Sequence, residues 1–258
     1  MNSPIIAPPL RTLVLCLLVG FLPINVTSQQ DDTQRRRAMF VNKAADGLEI
    51  KILKKHDDEF LPIAPSHEFK ADDEIRINFH SNFEGHVYFV NVAPSGETRV
   101  IHHTSVTAEK ENELPAAPDG IQFDKEVGIE VLKIVMAREA IPVFDEALKS
   151  ADGFLGKTPA SVAQELRTRS VPVPSGKKDE NVGIVQPNND PGARCRGLHL
   201  ATGDKFRCRG LVLASGNPQA NQGTVAIAMP DDPKEKNADG KLKPGDVVVI
   251  DLRLKHVE

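Results

Sequence analysis

The sequence predicts a mainly β protein: an antiparallel β-sandwich, immunoglobulin-like in general architecture, with one or two short helices and a small C-terminal β unit. Three observations predict it. Short runs rich in Val, Ile and Phe recur between turn residues over 47–140, several of them alternate apolar and polar side chains, and no strong helical pattern occurs before about Pro142. A parallel sheet would need helical crossovers, which this stretch does not offer. The clearest segment is 73–100, DEIRINFHSNFEGHVYFVNVAPSGETRV, which reads as three successive antiparallel strands. Ile75, Ile77 and Phe79 alternate with Arg76, Asn78 and His80, residues 81–85 form a turn, and 87–92 resume with side chains that fit a pleated surface. Ser95-Gly96 breaks the run before 98–101.

The remaining elements follow in chain order. Residues 1–28 carry one positive charge, Arg11, then the apolar run 13–22, Pro23 and the small-residue end Val26-Thr27-Ser28, the layout of a cleaved secretory signal peptide. A spanning helix needs roughly 18 to 20 apolar residues, more than this run supplies. Cys16 and the Asn25 sequon are expected to leave with the leader. Residues 29–46 form a polar arm. Leu48, Ile50 and Ile52 then alternate with Glu49 and Lys51 as a first strand, His56 to Glu59 turn, and 60–63 form a short partner whose prolines suit an edge. Residues 104–120, polar and carrying Pro115 and Pro118, read as a long surface loop. Residues 121–123 form a short strand, and 129–137 are a near-continuous apolar run of the kind buried on both faces.

These residues also carry a resemblance. A strand DEIRINF, a Gly before HVYFVNV, a Ser-Gly turn and a closing strand IEVLKIVMARE together resemble the bacterial domain of unknown function numbered 4384, over about 47–140. The resemblance implies an exported, β-sandwich-like module often joined to other domains, and its motifs are structural, so it implies no activity. That family commonly has Tyr after the central Gly and an apolar-Pro pair ending the next strand; this chain has His86 and His102-His103.

Beyond the sandwich, the helical segment 141–170 holds two helical compositions, 142–149 and 159–169. Thr158 stands as the N-cap of the second and Pro159 as its first residue. Residues 171–192, rich in Pro, Gly, Asn and charge, form a linker or long loop. The C-terminal unit, 193–258, contains an internal repeat, RCRGLHLATG at 194–203 and RCRGLVLASG at 207–216, read as two similar strands of one small sheet. Residues 224–229 and 247–254 add two more strands. The sequence leaves open whether these form a separate sheet or extend the sandwich.

Composition narrows the function classes. A chain of 258 residues can bury a core without metals or disulfides. Its net charge of -4, or -5 after loss of the leader, gives no global bias toward nucleic acid. The basic run at 35–37 lies beside Asp31 and Asp32 and reads as a solvated arm. Trp is absent and there is one Tyr, so stacking platforms for sugars and single-stranded nucleic acid are scarce.

Several constellations are candidates for chemistry. Cys195 and Cys208, the mature cysteines of an exported chain, are a disulfide candidate contributing about 3 kcal/mol on the chain-entropy model. Register opposes it: with Gly203-Asp204 as the hairpin turn, Cys195 faces Val212 and Cys208 faces His199. Arg194, Arg196, Arg207 and Arg209 are an anion- or partner-binding candidate, or else the charges that keep an edge strand soluble. His80, His86, His102 and His103 fall in the central strands; alternation puts His102 and His103 on opposite faces, so His80 with His102 is the metal pair considered. Residues 235–246, EKNADGKLKPGD, place Glu235, Asn237, Asp239 and Asp246 at positions 1, 3, 5 and 12 of a calcium-like loop, but Glu opens it, Asp closes it and Pro244 intrudes. GFLGKT at 153–158 resembles the end of a phosphate-binding loop with Ala151 where the pattern needs Gly; helix end, turn and capped helix start explain the same residues. No nucleophile signature occurs.

The expected function is therefore an exported, non-catalytic binding or envelope-associated module, periplasmic or extracellular. It needs no cofactor, binds no nucleic acid and has no membrane span once the leader is cleaved. Its partner is expected to be another envelope or secreted protein. The alternative is a metal-dependent hydrolase, or a calcium-dependent binder, built on the histidines or the 235–246 loop.

Overall fold

A computed structural model describes residues 44–63, 67–162, 164, 198, 206–214, 224–231 and 240–258. The chain is mainly β, and its strands form two packed sheets of seven. Sheet A holds β1 (Leu48–His56), β4 (Glu74–Ser81), β7 (Glu111–Leu114), β12 (Gly210–Ala214) and β13 (Thr224–Asp231) in the order β12-β13-β1-β4-β7. Two short strands flank it: β2 (Glu59–Pro62) beside β1, and β8 (Ile121–Gln122) beside β4. Sheet B runs β10-β6-β5-β9-β14-β11, from β10 (Phe154–Lys157), β6 (Glu97–Val106), β5 (Gly85–Val92), β9 (Gly128–Ala137), β14 (Asp246–His256) and β11 (Arg207–Cys208). The two-residue β3 (Glu68–Phe69) and β11 both pair parallel to β14; the other pairs are antiparallel.

Alternation in the strands places the core. Leu48, Ile50 and Ile52 of β1 and Ile75, Ile77 and Phe79 of β4 face Val87 and Phe89 of β5, Leu132, Ile134 and Met136 of β9, and Val248, Ile250 and Leu252 of β14, all buried in one cluster between the sheets. At about 25 cal/mol per Å² of apolar surface, side chains of this size each contribute about 1.5–3 kcal/mol when fully buried. The other face of sheet B is covered as well. Tyr88, Val90, Val100, Val135 and Val249 pack with Ile141, Phe144 and Ala147, which belong to or precede helix α1 (Pro142–Leu148). On this second face Lys133 lies directly opposite Asp251 in the β9–β14 ladder, with Nζ 2.9 Å from Oδ1 and both side chains fully enclosed.

Several sequence expectations change here. Residues 73–100 form three strands, but β4 and β5 lie in different sheets; the turn at 81–85 is a corner between layers, and only β5 and β6 pair as a hairpin. Alternation fixes which side chains are buried together, not which edge a strand joins, so it could not separate these cases. Residues 104–120 hold the end of β6 and the whole of β7 rather than one loop. Residues 154–157, read as part of a turn, form the edge strand β10, whose partner is 55 to 60 positions away and invisible to local pattern. The C-terminal strands complete the sandwich: β13 pairs with β1 and β14 with β9 over ten residue pairs. The second repeat copy supplies β11 to sheet B and β12 to sheet A, crossing between sheets at Arg209. The first copy lies outside the described residues except Leu198, which is buried. Residues 160–162 and 164 are helical, and the rest of that expected helix lies outside the described residues. The leader, the linker 171–192 and most of the polar arm also fall outside them.

The first and last strands are tied together before either enters its sheet. Asp46 accepts from Arg138 Nη2 at 2.5 Å, Lys241 Nζ at 3.2 Å and the Leu242 amide at 2.9 Å. Asn82 Oδ1 accepts from the Gly47 amide while its Nδ2 donates to the Ala45 carbonyl, both at 2.7 Å. Together they anchor the entry to β1 against the entry to β14.

Candidate functional site

The outward positions of sheet A build a cleft of about 430 Å³. Glu49 of β1, His80 of β4 and Glu111 of β7 lie side by side across three strands, and Lys51 and Asn78 form the next row. Glu109 reaches in from the β6–β7 turn, with its carboxylate 3.6 Å from His80 Nε2. The sequence folds this way because residues 49, 51, 78 and 80 share the parity opposite to the buried Ile50, Ile52, Ile77 and Phe79. Among the described lining residues three carboxylates stand with one imidazole and one ammonium, an acidic set. Such a surface attracts a cationic group at a range of about one Debye length, roughly 8 Å at physiological salt. One wall is held rigid by Arg76, which stacks over Phe60, bonds the Pro118 and Asp119 carbonyls and contacts Glu113.

A second polar group sits on the helix-covered face of sheet B. Asp145 of α1 lies 3.4 Å from His103 Nδ1, and His103 Nε2 lies 2.9 Å from His86 Nδ1. A carboxylate only accepts, so His103 carries its proton on Nδ1, and His86 donates from its own Nδ1. Tyr88 stacks on His103 with centroids 4.2 Å apart, donates to Asp145 and accepts from the Ile141 amide at 2.9 Å. Burial pushes the Tyr88 hydroxyl well above its ordinary pKa; the Ile141 amide opposes this and Asp145 adds to it. His103 is held below its ordinary value by burial, against the pull of Asp145 and with that of His86. This arrangement joins α1 to β5 and β6.

The residues singled out from sequence are dispersed. His80 lies in the sheet A cleft, whereas His102 is on β6 of sheet B opposite Phe89, so the two do not form a metal pair. His102 and His103 take opposite faces, as alternation requires. Asp246 is fully buried, 3.0 Å from Arg207 Nη2 and 3.8 Å from Arg209 Nη1, and it accepts from the Lys243 amide at 3.1 Å. Arg207 and Arg209 thus pair with an internal carboxylate, while the Arg207 side chain stays largely exposed. Arg194, Arg196, Glu235, Asn237 and Asp239 lie outside the described residues. So does Cys195; Cys208, half-buried on β11, is not a free thiol.

Glu49, Lys51, Glu109 and Glu111 were not singled out from sequence. The outward parity of the first two was visible, but the pairing that adds Glu111 depends on β7, inside a stretch that reads as loop. Among the described residues no helix is long and apolar enough to cross a membrane. Compared with protein-family models, curated proteins and solved structures, the chain matches none.

Proposed function

We propose that this chain is an exported, non-catalytic binding module whose contact surface is the open face of sheet A. The observation that carries this reading is the cleft lined by Glu49, Lys51, Asn78, His80, Glu109 and Glu111. The partner it suits is another envelope or secreted protein presenting a lysine or arginine, since charge complementarity steers encounter and fixes register. The leader-like residues 1–28 and the resemblance of 47–140 to an exported module support export to the periplasm or the exterior. The acidic surface argues for a protein partner over nucleic acid, whose phosphates it would repel.

A photo-crosslinking residue at position 111, introduced in the cell of origin, tests this reading. One partner is expected to be captured there, lost when Glu49 and Glu109 are changed to Lys, and absent when the crosslinker is moved to position 149 on α1. Equal capture from both positions, or capture indifferent to charge reversal, would overturn it.

A further inference from the structure

At one end of the sandwich the apolar core gives way to polar side chains that still face inward. Glu130 continues the inward series of β9 beyond Leu132, and His256 continues that of β14 beyond Leu254. Asp124 arrives from the other layer, two residues after β8 of sheet A. One carboxylate oxygen from each acid and a ring nitrogen of His256 lie within 4.8 Å of one another. Two acids alone would be an ordinary surface feature, but the imidazole is not. His256 is 2% exposed, and its Nδ1 sits 2.7 Å from the Glu126 carbonyl. A carbonyl only accepts, so Nδ1 carries a proton, and Nε2 is the nitrogen left to take a metal. That is how proteins commonly fix a histidine for metal binding. Glu130 has an outer support of the same kind, because Asn91 Nδ2 donates to its Oε2 at 3.1 Å. Phe123 packs its ring edge on to His256 with centroids 5.6 Å apart, shielding the group from the core.

We propose that Asp124, Glu130 and His256 form a binding site for a divalent transition cation of the zinc or manganese class, which clamps the two sheets together at this end. The donor set of one imidazole and two carboxylates suits those ions, whereas calcium takes six to eight oxygens. Tetrahedral ligands at about 2.0–2.1 Å from zinc stand about 3.4 Å apart. Asp124, whose Oδ1 accepts from the Glu126 amide at 2.7 Å, keeps its other oxygen for the ion, and water or a partner's side chain fills the remaining position.

Isothermal titration and thermal melting of the chelator-stripped chain at pH 7.5, with zinc, manganese and calcium chlorides in turn, test the site. Zinc or manganese is expected to bind at one ion per chain and to raise Tm, because an ion that binds only the native state stabilises it by mass action. Asp124→Asn changes an exposed side chain and should keep the metal-free Tm while weakening binding more than tenfold. Asn91→Ala should weaken it about 10-fold through loss of the support to Glu130. No binding of either transition ion, unchanged affinity in Asp124→Asn, or calcium bound as tightly as zinc would each overturn the proposal.

Discussion

On β4 of sheet A buried and half-exposed residues alternate without a break, whereas on β14 of sheet B ten of the eleven residues are buried. The difference comes from what covers each sheet. Sheet A packs one face into the sandwich, and the residues on the face bearing His80 and Asn78 are half-buried; sheet B packs one face into the sandwich and the other under α1. A strand buried on both faces can keep a polar side chain only by pairing it, as Lys133 and Asp251 do. The doubly covered sheet therefore carries more of the buried core, and sheet A carries its charge on half-buried positions.

The largest effect expected from this contrast is on the fold itself. Deleting 240–258 removes β14, which pairs with β9 along its length, and uncovers β9, so the chain should lose its cooperative thermal transition by circular dichroism. A folded remainder would show that sheet A and the β5–β6 hairpin suffice. Next is Lys133→Met, which strands the Asp251 carboxylate in the interior. Urea denaturation should show a loss of about 3–5 kcal/mol, most of it restored in the double variant Lys133→Met with Asp251→Leu. Tyr88→Phe leaves the Ile141 amide without its acceptor and should cost about 1–3 kcal/mol in the same assay.

A pH series sharpens the comparison further. His103 faces Asp145 of α1 and His86 and Tyr88 of β5, and its folded-state pKa lies below the ordinary value; burial lowers His102 and His67 too. The unfolded chain therefore takes up protons first. The stability these groups contribute is complete above about pH 6.5 and is lost as pH falls through their depressed folded values. Tm should fall between pH 7.5 and 5.5, and less steeply in His103→Gln. The smallest effect belongs to the open face: Glu111→Gln should move stability by no more than about 0.5 kcal/mol while weakening partner capture. A large loss of stability there would assign Glu111 to the fold.

Much of this was legible in the chain. Alternation at 48–52 and 75–80 marked strands with one wet face, and the near-continuous apolar run at 129–137 marked a strand with none. The helix at Pro142 and the parity that separates His102 from His103 followed from the same periodicities. These are local properties, since a strand's burial pattern is written in consecutive residues. What joins Asp145 to His103, Glu111 to His80, or His256 to Asp124 is pairing between segments from 31 to 132 positions apart. No periodicity encodes it. Strand partners are selected by the joint burial of all inward faces, a sum over the whole core. The sequence by itself determined most of the strands, though not β7 or β10, and which of their faces are apolar. Only the tertiary structure decided that β4 and β5 part company at the corner, that the last strand pairs with β9 in sheet B, and that His80 and Glu111 meet on the outer side of sheet A.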